Sequence, residues 1–202
     1  MTVPSESSPQ REPQQRRSRD RQGAMADAAG RLLIEEGFEA ITHRRVADAA
    51  GVPQGSASYY FPSRAALVAA SVRAAEGLRA ASAETFARSL EPGRRSSPEA
   101  AELVIRTLFA PRVDDRVVAT RLDPMLTALR DPALRPLMAE HRPRLLRSVR
   151  RTLEASGYAT VTDVDLVAHL VDASLLTAAA TGEEQVIRRA AAVLARYLDA
   201  VG

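Results

Sequence analysis

Residues 42–61 read THRRVADAAGVPQGSASYYF. From His43 onward, small or apolar side chains fall at Val46, Ala47, Ala50, Val52, Ala57 and Tyr60, with Gly51 between the two halves. Two short helices crossing at a steep angle need this pattern. Ala47 permits close approach, Gly51 permits a positive φ, and the apolar positions seal the contact. The stretch therefore predicts a helix-turn-helix, and the polar side chains left outside it are candidate readers of a nucleic-acid groove.

The flanking residues extend the unit in both directions. A helix from about Gln22 to Glu36 places Met25, Ala28, Ala29, Leu32 and Leu33 on one face, and Gly37-Phe38 stops it with an apolar clasp. Thr42 is positioned to cap the next helix, which runs through about Ala50. Val52-Pro53 makes the turn, because the ring of Pro53 disfavours helical geometry at Val52 and suits the first turn of the helix that follows, to Tyr60. Pro62 ends that helix, and Ser63 caps an alanine-rich helix from Arg64 towards Leu90. Upstream, residues 1–20 form a Ser/Pro/Gln-rich segment, and five arginines lie from Arg11 to Arg21. It has too little apolar surface to fold and is expected to be disordered, either as a solvated tail or as an arm on phosphates or a minor groove.

Beyond the break EPGRRSSP at 91–98 the periodicity stays helical, with helices expected near 98–109, 113–121, 124–130, 132–156, 163–181 and 184–200. Asp123-Pro124 and Asp131-Pro132 read as N-caps followed by proline. Pro143 should kink the long helix, and Gly157 and Gly182 are stops. In residues 164–180 the sequence VDLVAHLVDASLLTAAA is apolar almost all round. Over 186–201 one stripe runs Val186, Ala190, Val193, Tyr197 and a second runs Ile187, Ala191, Leu194, Leu198. Helices apolar on two faces need a second partner, and a copy of the chain is the economical one, giving a homodimer through the last two helices.

Composition bounds the function. The chain has 202 residues, 46% of them apolar and 4% aromatic, which suits an all-α protein with an aliphatic core. No apolar run approaches the ~20 residues of a membrane span, and the first residues lack the apolar segment of a secretory signal, so no membrane partner and a cytoplasmic location are expected. Cysteine is absent, which excludes disulfides, thiolate metal sites and a cysteine nucleophile. All 28 basic side chains are arginine, yet the net charge is only +3. Charge alone therefore does not identify a nucleic-acid binder. No glycine-rich phosphate loop, nucleophile elbow or framed pair of carboxylates points to an enzyme, and neither a cofactor nor a metal is expected.

The segment GFEAITHRRVADAAGVPQGSASYYFPSRAAL, residues 37–67, resembles the TetR family of transcriptional regulators in its glycine, its threonine cap, its helix-turn-helix and its aromatic-aromatic close. The specific part of the likeness runs from about Ala24 to Leu67, and the remainder resembles the family in length and helix distribution. The resemblance implies an N-terminal three-helix DNA-binding domain over 21–67 and a C-terminal helical ligand-binding and dimerisation domain over 68–202. It implies a homodimer on a palindromic operator of double-stranded DNA. Thr42, Arg44 and Arg45 would lie near the phosphate backbone, and Gln54, Gly55, Ser56, Ser58 and Tyr59 would form the recognition helix. Gln54 suits an adenine edge, and an arginine suits guanine or phosphate. Arg64 would contact phosphate where the family commonly has lysine. The chain departs from the family at Pro53, in place of a serine-type cap, and at Ser58, in place of a phosphate-touching tyrosine that Tyr59 could replace. Tyr60 and Phe61 are assigned to packing.

The C-terminal half is expected to enclose a mostly apolar pocket between about Leu103 and Leu176, suited to a small hydrophobic or amphipathic effector. Arg121, Met125, His141, His169, Asp172 and Thr177 are its candidate ligand contacts, each with a solvated face, a cap or a satisfied hydrogen bond as the plainer explanation. A repressor released by an effector is the expected function. An activator, or an architectural DNA binder with a vestigial pocket, is the alternative.

Overall fold

The computed structural model describes residues 11–114, 116 and 118–202. The described residues contain no strand, so the all-α expectation holds for them. The first unit comprises α1 (Arg11–Glu36), α2 (His43–Ala49) and α3 (Gln54–Tyr60), and α4 (Arg64–Arg88) leads out of it. Then follow α5 (Ser97–Leu108), α6 (Asp123–Arg130), α7 (Arg135–Glu140), α8 (Arg142–Ala155), α9 (Val164–Ala180) and α10 (Val186–Val201).

Local chemistry sets most of these bounds. Thr42 Oγ1 accepts from the Arg45 amide at 3.2 Å and Ser63 Oγ from the Ala66 amide at 3.1 Å, each satisfying an amide that the helix leaves unpaired. At the start of α5 the Glu99 carboxylate accepts from the Ser96 amide at 2.8 Å, one half of a capping box. Gly37 and Gly51 hold φ of 82° and 64°, the left-handed region where a side chain would be strained.

Four expectations are corrected. The segment expected to be disordered is helical from Arg11 onward. Gln, Arg and Glu are good helix formers, and Pro13 falls in the first turn, where no intrahelical bond needs its missing amide. Residues 1–10 lie outside the described residues. Among the described residues of 113–121 there is no α-helix, and a π-helical turn, Val118–Leu122, runs into α6. Asp123 caps nothing, because it is already inside α6 with Leu122 at the N-cap; Asp131 instead closes a turn by accepting from the Ala133 amide at 3.0 Å. The long helix expected over 132–156 is two helices meeting at His141. Pro143 has no amide for the carbonyl four residues back, so the ladder breaks there.

Two apolar cores result. One gathers Val104, Leu108, Val149, Leu153, Val167, Val171, Leu194 and their neighbours from α5, α8, α9 and α10. The other gathers Met25, Leu33, Ile41, Val46, Ala57, Phe61, Leu67 and Val72, and it also takes in Ala128, Leu134 and Leu137. Thus α6 and α7, far along the chain, pack into the core that supports the helix-turn-helix. The two stripes of α10 both turn inward, with Ile187, Ala191 and Tyr197 packed against the first core. On α9, Leu166 and Leu176 remain 42% and 44% exposed.

Candidate DNA interface and ligand cavity

The helix-turn-helix divides its residues by face. Ala57 is buried and Ser56 and Tyr60 half-buried, while Gln54, Gly55, Ser58 and Tyr59 form a stripe open to solvent. Tyr59 is 79% exposed, with its ring set edge-on to Tyr60 at 5.1 Å between centroids. Tyr60 donates to or accepts from Ser18 of α1 at 3.0 Å, and Phe61 is 4% exposed, so both are packing residues. His43 Nε2 lies 2.7 Å from the Phe61 carbonyl and ties the start of α2 to the end of α3. Arg44 and Arg64 are exposed, as is Thr42, whose hydroxyl is used as the cap. Arg45 is committed within the chain: its Nη2 donates to Glu36 at 2.7 Å. That hydrogen bond and the guanidinium charge hold the Glu36 carboxyl below its ordinary range.

Gly55 has no internal explanation. Its φ is not in the left-handed region, and a Cβ there would meet nothing within 4 Å. Glycine inside a helix costs roughly 0.5–1 kcal/mol relative to alanine. A residue that weakens its helix and serves no contact within the chain fits a surface that another body approaches closely.

A cavity of about 280 Å³ opens between α4, α6, α7 and α8. Its walls are Ala80, Met125, Ala128, Leu129, Met138 and Leu145, and its floor is ionic. Glu76 and Arg79 reach it from α4 and Arg121 from the π turn, all buried. Arg79 Nη1 donates to Glu76 at 2.8 Å, and Arg121 Nη1 donates to both Glu76 oxygens at 3.1 and 3.2 Å. Burial pushes the Glu76 carboxyl up, but the two guanidiniums outweigh it and hold the group below its ordinary range. Burial and the charge of Arg121 pull the Arg79 guanidinium down to about 10.

Of the six residues expected around a ligand, the structure brings Arg121, Met125 and His141 to this cavity. Asp172 stands behind them, close enough for its charge to act on Arg121. His169 and Thr177 lie exposed on α9, the former 3.1 Å from Asp165. The cavity differs from the expected one in having a charged floor and in drawing on α4. The missed residues left a signal: Glu76 and Arg79 occupy the stripe of Val72, Ala75, Ala80 and Ala83, where charges at i and i+3 among buried apolar positions mark an internal ion pair.

Burial raises the Asp172 carboxyl above its ordinary range, against the pull of Arg121, Arg142 and His169. A group whose folded value is raised costs stability above that value and none well below the unfolded one. Asp172→Asn is accordingly expected to raise the melting temperature at pH 7 and to leave it nearly unchanged near pH 3. Equal shifts at both values would contradict this account.

Residues 26–71 match the model of the bacterial regulatory proteins of the tetR family. No curated protein matches the chain. Among solved structures, the multidrug binding protein EbrR complexed with proflavin is 27% identical with a TM-score of 0.59, over 87% of this chain and 98% of that one. EbrR complexed with ethidium gives 25% and 0.55, over 86% and 98%. A protein from Mesorhizobium loti MAFF303099 assigned to the TetR-family transcriptional regulators is 19% identical with a TM-score of 0.62, over 92% and 98%, and is a likeness of fold alone. The family match falls on the residues that build the helix-turn-helix, so residues 26–71 carry the DNA-binding region of the bacterial regulatory proteins of the tetR family, and the chain as a whole shares the fold of these solved structures.

Proposed function

We propose that this regulator is a homodimeric repressor that binds a palindromic operator through α3 and leaves it when a small hydrophobic or amphipathic effector enters the cavity beside α4. The observation that carries this is the position of the cavity. Its walls include Ala128 and Met138 from the helix-turn-helix core and Leu145 from the other core. A ligand lodged there bears on the seam between a DNA-binding unit, residues 21–67, and a sensing unit, residues 68–202. The solved EbrR complexes with proflavin and ethidium support effector binding in a protein of this fold.

In this reading Gln54, Gly55, Ser58 and Tyr59 face the major groove, with Ser56 at their edge. Thr42, Arg44 and Arg64 meet phosphates, and Arg45 does so only by leaving Glu36. The open Leu166 and Leu176 of α9, with α10 beside them, supply the two-fold contact. Two recognition helices must then sit about one helical turn, ~34 Å, apart to enter successive major grooves. An effector that favours a conformation in which α4 swings changes that spacing, and it acts only through its difference in affinity for the two conformations.

Selection of bound DNA from a random pool tests the proposal. An inverted repeat is the expected product. Gln54→Ala should relax preference at one position of each half-site and cost about 1–3 kcal/mol against the preferred base, whereas Arg44→Ala, on a phosphate, should weaken all sequences about equally. Enrichment of no motif would count against sequence-specific regulation. Lowered expression of a target gene on deletion of the regulator would contradict repression.

A further inference from the structure

We propose that the effector is an organic anion, a carboxylate or similar acid on an apolar body, whose headgroup seats on Arg121 and Arg79 at the cavity floor. The inference deepens the effector reading above and rests on it.

Four guanidinium groups line the cavity, those of Arg79, Arg121, Arg135 and Arg142, against the single carboxylate of Glu76. Two of the four are occupied elsewhere. Arg142 Nη2 donates to Asp165 at 2.7 Å, and Arg135 Nη2 donates to the Leu129 carbonyl at 2.9 Å. The other two share Glu76: Arg121, on which Asp172 also acts, is held above its ordinary range, whereas Arg79, whose Nη2 donates to the Thr120 carbonyl at 2.5 Å, is the less compensated of the two. Arg121 holds Glu76 through Nη1 alone, and its buried Nε has no hydrogen-bond partner among the described residues.

A buried cationic donor left without an acceptor is costly and uncommon, and each such group calls for an explanation. Asp172 is the other acid within range of Arg121, but its own burial opposes ionisation and limits the compensation it gives. A ligand acid supplies what is missing: a negative charge, with a planar pair of oxygens that suits the forked donors of a guanidinium. The apolar walls above the floor take the remainder of such a molecule. A neutral headgroup would leave the charge uncompensated, and a cationic one would meet four guanidiniums.

Decanoate, 1-decanol and decylammonium, which share one chain and differ in headgroup, are suitable probes on the full-length protein. Binding is read from thermal unfolding by circular dichroism, and operator release from fluorescence anisotropy. Decanoate is expected to stabilise the protein, 1-decanol to bind roughly 10- to 100-fold more weakly, and decylammonium to give no stabilisation. Arg121→Leu leaves Arg79 and Glu76 paired one to one and should bring the decanoate affinity down to that of the alcohol. If that variant does not fold, the headgroup series on the unmodified protein decides alone. Equal stabilisation by acid and alcohol, or none by the acid, overturns the anionic class. Release of operator by the alcohol or the amine in that event would leave effector control standing. Decanoate binding without release would instead sustain the headgroup assignment and defeat effector control.

Discussion

Glu76→Ala is expected to destabilise the fold by about 3–5 kcal/mol, because it strands two buried guanidiniums that share this carboxylate. Arg79 and Arg121 are 5% and 7% exposed, and Glu76 accepts from both within 3.2 Å. Without it the repulsion between the two buried guanidiniums, already felt by Arg79, loses its nearest counter-charge. The contrast is Glu84, eight positions along α4, which pairs with Arg88 and Arg144 while 26% of its side chain is open to solvent. Glu84→Ala should cost at most about 1 kcal/mol, as solvent-screened pairs do. Urea denaturation of both variants measures the difference. Glu76 has a depressed folded value, so its contribution is complete above its ordinary value of 4.5 and is lost as acid protonates it. The gap between native protein and Glu76→Ala must therefore narrow below that pH. A gap that widened in acid, or a variant as stable as native protein at pH 7, would sink the buried-triad account.

Gly30→Val should be nearly as damaging, for a steric reason. Gly30 lies in the middle of α1, and a Cβ there would stand 2.8 Å from the Cβ of Ala74, 2.9 Å from the Ala74 carbonyl carbon and 2.9 Å from the Ala75 nitrogen. Two of those neighbours are backbone, which cannot swing aside. Any side chain at position 30 has to push α1 off α4, and a branched one most of all. A loss of about 3 kcal/mol, the upper end of the usual range for overpacking, is expected. Because α1 braces the helix-turn-helix against α4, operator affinity should fall along with stability. Gly55→Ala serves as the comparison, since its Cβ enters open space and the fold should tolerate it. Thermal unfolding and DNA binding of Gly30→Val settle the point: a variant with native melting temperature and native affinity would mean that the α1 to α4 approach is not needed.

The parts legible in the sequence share a physical character. The caps at Thr42 and Ser63 and the positive φ of Gly51 are decided by partners within a few residues, and the alternation of buried Val46, Ala47 and Ala57 with open Gln54, Ser58 and Tyr59 follows the helical period. Helix spacing carries such information directly. Where local preference was ambiguous, the boundaries moved. Arginine and glutamine before Gln22 are as compatible with helix as with a solvated arm, and helix prevails from Arg11. The sequence predicts a kink at Pro143 within one helix, and the missing amide ends α7 instead.

The helix-turn-helix and the face it turns outward were thus determined by the sequence alone, because the contacts that build them lie close along the chain. The cavity was decided only by the tertiary structure. Glu76 and Arg121 stand 45 positions apart, and their pairing requires α4 to run beside a π turn that periodicity gave no reason to expect. The same holds for the packing of Ala128, Leu134 and Leu137 into the core beneath α2 and α3. An apolar stripe states that it will be buried; which distant stripe buries it depends on how all the helices close around a common core.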